Sequence, residues 1–112
     1  MKYVQGDVAL VALFFSDATG MKKRPVLVLH DFGDDDLLVT PITSHTERSV
    51  ADVRISEWQG AGLRLPSVVR LEKLATVDKA AILRKLGQLS PSDWRKVQPV
   101  LKGLFARILG EK

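Results

Sequence analysis

The fold of this chain is decided by residues 22–29, KKRPVLVL, and by residues 38–44, LVTPITS, which follow after a short acidic segment. Each stretch contains an apolar run typical of a strand, and the segment 33–36 between them, GDDD, is typical of a hairpin turn. Antiparallel pairing would bring Arg24, directly before the first run, near Thr43 and Ser44, directly after the second. A guanidinium fork beside two hydroxyls would form an anion-binding site at the edge of a sheet.

Composition favours a single domain over residues 1–112. The 112 residues carry 17 Lys and Arg against 13 Asp and Glu, and this net charge of +4 favours anionic partners without identifying one. The absence of cysteine excludes disulfides and thiolate metal sites. The longest apolar run, residues 8–15, is shorter than the ~20 residues of a membrane helix. Because the N-terminal segment also lacks the apolar core of a signal peptide, we expect a cytoplasmic protein that does not span a membrane.

The hydrophobic pattern predicts several short strands. Residues 8–15 form a continuous apolar run that suits a strand buried on both faces. Pro25 is suited to begin the strand that continues through residues 26–29. The remaining predicted elements are strands at 37–42, 50–55 and 67–74, a short helix at 78–83 and a last strand at 87–89. The acidic run 34–36 is expected to be a solvated turn rather than a metal site, because consecutive residues in a tight turn point apart.

A helix is predicted from residue 91 onwards. Ser90 is a suitable N-cap, Pro91 suits the first helical position, and Asp93 could complete a capping box. Pro99 is expected to kink or split the helix. One face is marked by apolar residues at spacings of three and four: Trp94, Val97, Leu101, Leu104 and Ile108. These elements predict a mainly β fold with helices, in its simplest form an SH3-like barrel of bent antiparallel strands with a C-terminal helix.

Six motifs in this order resemble the MazF/PemK/Kid toxins of bacterial toxin–antitoxin pairs across almost the whole chain. They are GDV (6–8), RPVLV (24–28), VTPITS (39–44), SVVRL (67–71), LATVDK (74–79) and KLGQLSP (85–91). The resemblance implies a homodimer that cuts single-stranded RNA selectively, without a metal or cofactor. It also implies inhibition by an acidic, partly disordered antitoxin, together with which the toxin binds DNA.

The resemblance further implies a reaction and its residues. The 2′-hydroxyl would attack phosphorus and leave 2′,3′-cyclic phosphate and 5′-hydroxyl ends. Arg24 matches the family's functional arginine, whose planar fork suits two non-bridging oxygens. Thr43 matches the strand-end threonine that would hold the phosphate, and Asp78 matches a family carboxylate.

Two departures concern proton transfer. Some family members carry an acidic residue a few positions before the arginine, but residues 19–23 contain none, and Asp17 is the nearest carboxylate. Ala75 stands where several members have a basic residue. His45 could replace a missing proton-transfer group, because imidazole exchanges protons near neutral pH. The candidate RNA-binding residues are Ser16, Asp17, Lys22, Lys23 and Ser44.

Each candidate also has a purely structural interpretation. Arg24 could be a solvated strand-end arginine, Thr43 and Ser44 could belong to a turn, and Asp78 could be an N-cap. The two departures leave open a non-catalytic binding module, or a gyrase-poison-like toxin, on the same scaffold. The presence of both Arg24 and Thr43 favours the endoribonuclease.

Overall fold

The structure, a computed structural model, describes residues 2–14 and 21–111, including all their side chains except those of Leu13, Phe14 and Met21. Its strands are β1 Asp7–Phe14, β2 Met21–Asp31, β3 Asp36–Thr43, β4 Asp52–Ile55, β5 Ser67–Arg70, β6 Ala75–Asp78 and β7 Ile82–Gln88. Two 3₁₀ turns, Leu71–Lys73 and Lys79–Ala81, flank β6, and helix α1 is Pro91–Ile108. No helix within the described ranges is long and apolar enough to cross a membrane.

The strands form one bent antiparallel sheet with the order β4-β5-β3-β2-β1-β7, and β6 pairs with the first half of β3. The prediction of a mainly β fold with a C-terminal helix is confirmed, but the sheet is not a closed barrel, because β4 and β7 are its two ends. The loop 56–66 crosses between them instead, and its Gly62 packs closely on Leu86 of β7. A loop therefore occupies the place where strand pairing would close the barrel.

The sheet is buried on both faces. One core cluster includes Val8 and Leu27 and packs against Val97 of α1. The second cluster, built from neighbouring residues such as Ala9 and Val26, lies apart from the first. Because adjacent strand residues point to opposite faces, this division confirms that the apolar run of β1 is a strand buried on both sides.

Helix α1 begins as the sequence predicts, but Asp93 has a different role. Ser90 Oγ accepts a hydrogen bond from Asp93 N at 3.1 Å. The Asp93 carboxylate does not complete a capping box; it accepts from Ser56 N at 3.0 Å and Glu57 N at 2.8 Å. It thereby fastens the helix to the end of β4.

The predicted split of the helix at Pro99 is wrong, since α1 runs unbroken through it, and the alternative of a kink stays a prediction. Proline removes the hydrogen bond to the carbonyl of Arg95, four residues earlier. Both residues are exposed, so water can hydrate this carbonyl.

The region between residues 67 and 89 differs most from the prediction. The strand at 67–74 ends at Arg70, and β6 is an additional strand. The predicted helix at 78–83 is reduced to one 3₁₀ turn, because Ile82 already begins β7, which pairs with β1. Tertiary pairing outweighs the helix propensity of this segment. Pro25 lies inside β2 rather than at its start, at a position where β2 pairs with β1 but not yet with β3.

Candidate functional site

An open cavity of about 840 Å³ lies where β2 and β3 separate. Its walls are residues 23–25 of β2, residues 41–45 of β3 and the following turn, and residues 62–65 of the loop before β5. Further lining residues come from β1, β5, β7 and the turn after β5: Leu10, Ser67, Arg70, Lys73, Arg84 and Leu86. Side chains from distant parts of the chain therefore converge on one site.

The register of β2 and β3 explains why Arg24 and Thr43 share this cavity. The last paired positions of the two strands are Val26 and Pro41. Arg24 lies two residues before Val26, and Thr43 lies two residues after Pro41, so both lie just past the end of the pairing. The structure thus brings together five of the residues expected from the sequence: Lys23, Arg24, Thr43, Ser44 and His45.

The cavity is strongly cationic. Six of its described lining residues are basic, and none is Asp or Glu: Lys23, Arg24, Arg64, Arg70, Lys73 and Arg84. Lys23, Arg64, Lys73 and Arg84 form no salt bridge with any residue in the ranges 2–14 and 21–111, whereas Arg70 pairs with Asp52. Cations lining one cleft concentrate positive potential there and attract an anionic ligand.

One wall of the cavity is apolar and is held in place by two glycines. Gly62 has a φ of +85°, and a Cβ built on it would lie 2.2 Å from the carbonyl oxygen of Leu86. A Cβ on Gly87 would lie 2.6 Å from the carbonyl carbon of Ala61. Because both residues lack a side chain, the loop backbone can touch β7 and present Leu63 and Leu65 to the cavity. Apolar and cationic walls together suit a ligand that carries both planar bases and phosphates.

Thr43 and His45 are linked at the end of β3. His45 N donates a hydrogen bond to Thr43 Oγ1 at 3.2 Å. Thr43 is half-buried and His45 is exposed. Since a hydroxyl has one proton and two lone pairs, Thr43 can accept this bond and still donate its own proton to a ligand.

The other predicted site residues lie elsewhere. Asp78 pairs with Asp36, which is at the other end of β3 from Thr43. The distance between these two ends corresponds to about 23 Å along a strand. The carboxylate of Asp78 caps the following 3₁₀ turn by accepting from Ala80 N at 2.8 Å. Lys22 is exposed on β2 but is not part of the cavity lining. Ser16 and Asp17 lie outside the described residues.

Four of the six cavity cations were missed by the sequence reasoning: Arg64, Arg70, Lys73 and Arg84. Arg70 is the fourth residue of the motif SVVRL and the last residue of β5, and its place in that motif was an available signal. Arg84 falls just after the segment predicted as a helix, so the strand face it occupies could not be inferred. Arg64 and Lys73 lie in a loop and a 3₁₀ turn, whose direction has no local sequence signal.

Solved structures of known toxins share this fold. The chain superposes on the MazF of a MazE–MazF structure from Deinococcus radiodurans with a TM-score of 0.75 and 18% identity, covering 94% of this chain and 98% of that one. It matches Mycobacterium tuberculosis toxin MazF-mt6 with a TM-score of 0.72 and 24% identity, and the match covers 88% of this chain and 95% of that one. A mycobacterial endoribonuclease in complex with its cognate antitoxin superposes with a TM-score of 0.74 and 18% identity, and the match covers 97% of this chain and 96% of that one.

Sequence comparison gives the family. A curated relative from Mycolicibacterium smegmatis, named probable endoribonuclease MazF, is 30% identical over 76 residues, which cover 64% of this chain and 70% of the relative. The family model described as PemK-like, MazF-like toxin of type II toxin–antitoxin system matches residues 4–105. The chain therefore belongs to the PemK-like, MazF-like toxins of type II toxin–antitoxin systems.

Proposed function

We propose that this toxin is an endoribonuclease that binds and cleaves single-stranded RNA in the cavity between β2, β3 and the loop 62–65. The observation that carries this proposal is the meeting of Arg24 and Thr43 in a cavity whose described lining contains six basic residues and no acidic one. The curated relative named as a probable endoribonuclease supports it. RNA supplies both a phosphate for the cations and bases for the apolar wall.

The proposed reaction begins with attack of a ribose 2′-hydroxyl on the neighbouring phosphorus. The 2′-oxygen loses a proton, the bond from phosphorus to the 5′-oxygen breaks, and that oxygen gains a proton. The products are a 2′,3′-cyclic phosphate and a 5′-hydroxyl. Arg24 would bind the non-bridging oxygens as their negative charge grows, and Thr43 Oγ1 would donate to one of them. His45 is the proposed proton-transfer group, because it is the titratable residue beside Thr43.

The test is cleavage of a long, unstructured RNA by purified protein in EDTA, followed by mapping of the fragment ends. We expect cuts at a restricted set of sequences, with 2′,3′-cyclic phosphate and 5′-hydroxyl ends. Cleavage that EDTA abolishes would contradict the metal-independent reaction. RNA binding without any cleavage would instead support a non-catalytic module on this scaffold.

We also propose a homodimer. The C-terminal part of α1 exposes Phe105 and Ile108, and Leu109 directly after it is also exposed, with Ile108 62% and Leu109 71% accessible. A second copy is the proposed cover for such apolar surface. Light scattering should therefore give about twice the chain mass, and a concentration-independent mass of 12.4 kDa would contradict the dimer.

The proposed regulatory partner is an acidic antitoxin. The cationic cavity offers it a surface of opposite charge. The relative solved with its cognate antitoxin supports such a partner. We place the antitoxin over the groove that contains Arg24 and Thr43, where it would exclude RNA.

A further inference from the structure

We propose that Asp52 is a positioning residue for RNA cleavage: it fixes residues 46–49, the segment directly after Ser44 and His45, and restrains the charge of Arg70 at the cavity wall. This inference rests on the proposed function. Asp52 itself does not line the cavity, so it would act through other residues. No sequence pattern marked it.

The Asp52 carboxylate joins three donors at one oxygen. Oδ2 accepts from Arg48 N at 2.7 Å, from Ser49 N at 3.2 Å and from Arg70 Nη1 at 3.1 Å. The Asp52 side chain is 3% exposed. One of the three donors is the cationic guanidinium of Arg70, so the cluster contains a charge-assisted hydrogen bond that a neutral side chain at position 52 would weaken.

Arg70 extends this cluster to the turn after Thr43. Arg70 lies opposite Asp52 in the β4–β5 pair. Its Nη2 donates to the carbonyl oxygen of Thr46 at 3.3 Å, and its own carbonyl oxygen accepts from the hydroxyl of Thr40, a fully buried residue of β3. The segment 46–49 is therefore held at three points, directly after His45. Because this segment follows His45 directly, these bonds restrain the backbone that carries its exposed side chain.

The salt bridge between Arg70 and Asp52 also offsets one of the positive charges that line the cavity. Arg70 is a cation of the cavity wall, and its salt-bridge partner is Asp52. Neutralising Asp52 would add one uncompensated positive charge beside the proposed RNA path. Loss of the Asp52 charge should thus disturb the position of the segment 46–49, while it strengthens the electrostatic attraction between the cavity and RNA.

The test compares Asp52→Asn with wild type in two assays. Single-turnover cleavage should slow by about 10- to 100-fold, because small misplacements of reacting groups have effects of this size. Affinity for an RNA analogue with 2′-deoxy nucleotides, which cannot be cleaved, should be retained or increased. The slope of log affinity against log salt should steepen by about 0.7, the value for one additional charge on a single strand.

Glu47→Gln is the matched control. It removes one negative charge from the same turn, but Glu47 pairs with the exposed Arg54 on the surface and does not contact Arg70. Its cleavage rate should equal that of wild type. If Asp52→Asn does not fold, as judged by circular dichroism, Asp52→Ser provides a smaller neutral side chain for the same measurements.

The outcomes separate the two proposals. If wild type cleaves RNA and the neutral Asp52 variant cleaves equally fast, the positioning role is overturned. A folded variant that loses affinity and rate together also overturns it, because that result indicates general damage to the site. If wild type does not cleave RNA, the proposed function itself fails.

Discussion

Arg24 and Thr43 each lie two residues past the last paired position of their own strand, which is Val26 in β2 and Pro41 in β3. Both line the cavity that opens where the strands separate. Each residue is fixed by its own strand, so the sheet rather than a long loop defines their relative position. This arrangement suits catalysis that depends on oriented groups.

Thr43 should be required for its hydroxyl. Thr43→Val removes the acceptor for His45 N and the proposed donor to phosphate, so we expect kcat/KM for RNA cleavage to fall by about 10- to 100-fold, which corresponds to the loss of a hydrogen bond to a charged group. Thr43→Ser should retain most of the activity. Thr76→Val, an exposed position on β6, is the control and should change nothing. Equal rates for Thr43→Val and wild type would remove the hydroxyl from the reaction.

The contact between the loop 56–66 and β7 should be sensitive to a single methyl group. We expect Gly87→Ala to lower the free energy of unfolding by about 1–3 kcal/mol, because its Cβ would overlap the backbone of Ala61. It should also weaken RNA binding by displacing the apolar wall. Gly103→Ala, in α1, has its nearest contact 3.7 Å away and should instead stabilise by about 0.5–1 kcal/mol. Urea unfolding and RNA titration measure both effects, and an unchanged Gly87→Ala protein would refute the close contact.

Asp93 should make stability depend on acidic pH. Burial raises the pKa of Asp93, but hydrogen bonds from Lys96 and from the amides of Glu57 and Ser56 outweigh this and leave the pKa below its usual value. A group whose pKa is lower in the folded state stabilises the protein above its unfolded pKa of about 3.9, and this contribution disappears as the pH falls through the folded pKa.

Asp93→Asn should therefore lower the free energy of unfolding by about 2 kcal/mol at pH 7, and the difference from wild type should shrink below about pH 4. Urea unfolding between pH 2 and 7 measures this. The exposed Asp35→Asn is the control and should match wild type throughout. A pH-independent difference between Asp93→Asn and wild type would show that the charge of Asp93 is not the cause.

The proposed antitoxin and RNA should compete. Both are anionic, and we place both on the cationic cavity, so saturating antitoxin should prevent binding of the 2′-deoxy RNA analogue. Rising salt should weaken both interactions, because screening and counterion release affect each ligand. A complex that still binds RNA with full affinity would contradict inhibition by occlusion.

Local sequence signals were sufficient for the elements that make up the centre of the sheet. The apolar runs predicted β1, β2 and β3, and the hairpin between β2 and β3 was enough to place Arg24 near Thr43. Ser90 and Pro91 similarly marked the start of α1. These signals are local because periodicity and capping depend on neighbouring residues.

The remaining features depend on contacts between distant segments. Asp93 binds the amides at the end of β4 rather than its own helix, and Ile82 joins β1 rather than extending a helix. The open sheet depends on Gly62 meeting β7. Arg64 and Arg84 reach the cavity through that same loop and strand, so their position follows from tertiary structure and not from any motif.

The most direct test of the central claim is the single-turnover cleavage rate of Arg24→Ala on the same RNA, in EDTA, beside wild type. We expect a fall of about 100- to 1,000-fold, the size expected when a group that stabilises transition-state charge is removed. Arg24→Lys should recover little, because a point charge cannot make the bidentate contact. Arg95→Ala, an exposed arginine of α1, should cleave like wild type. A folded Arg24→Ala protein that cleaves at the wild-type rate would contradict the assignment of this cavity as the RNA-cleaving site.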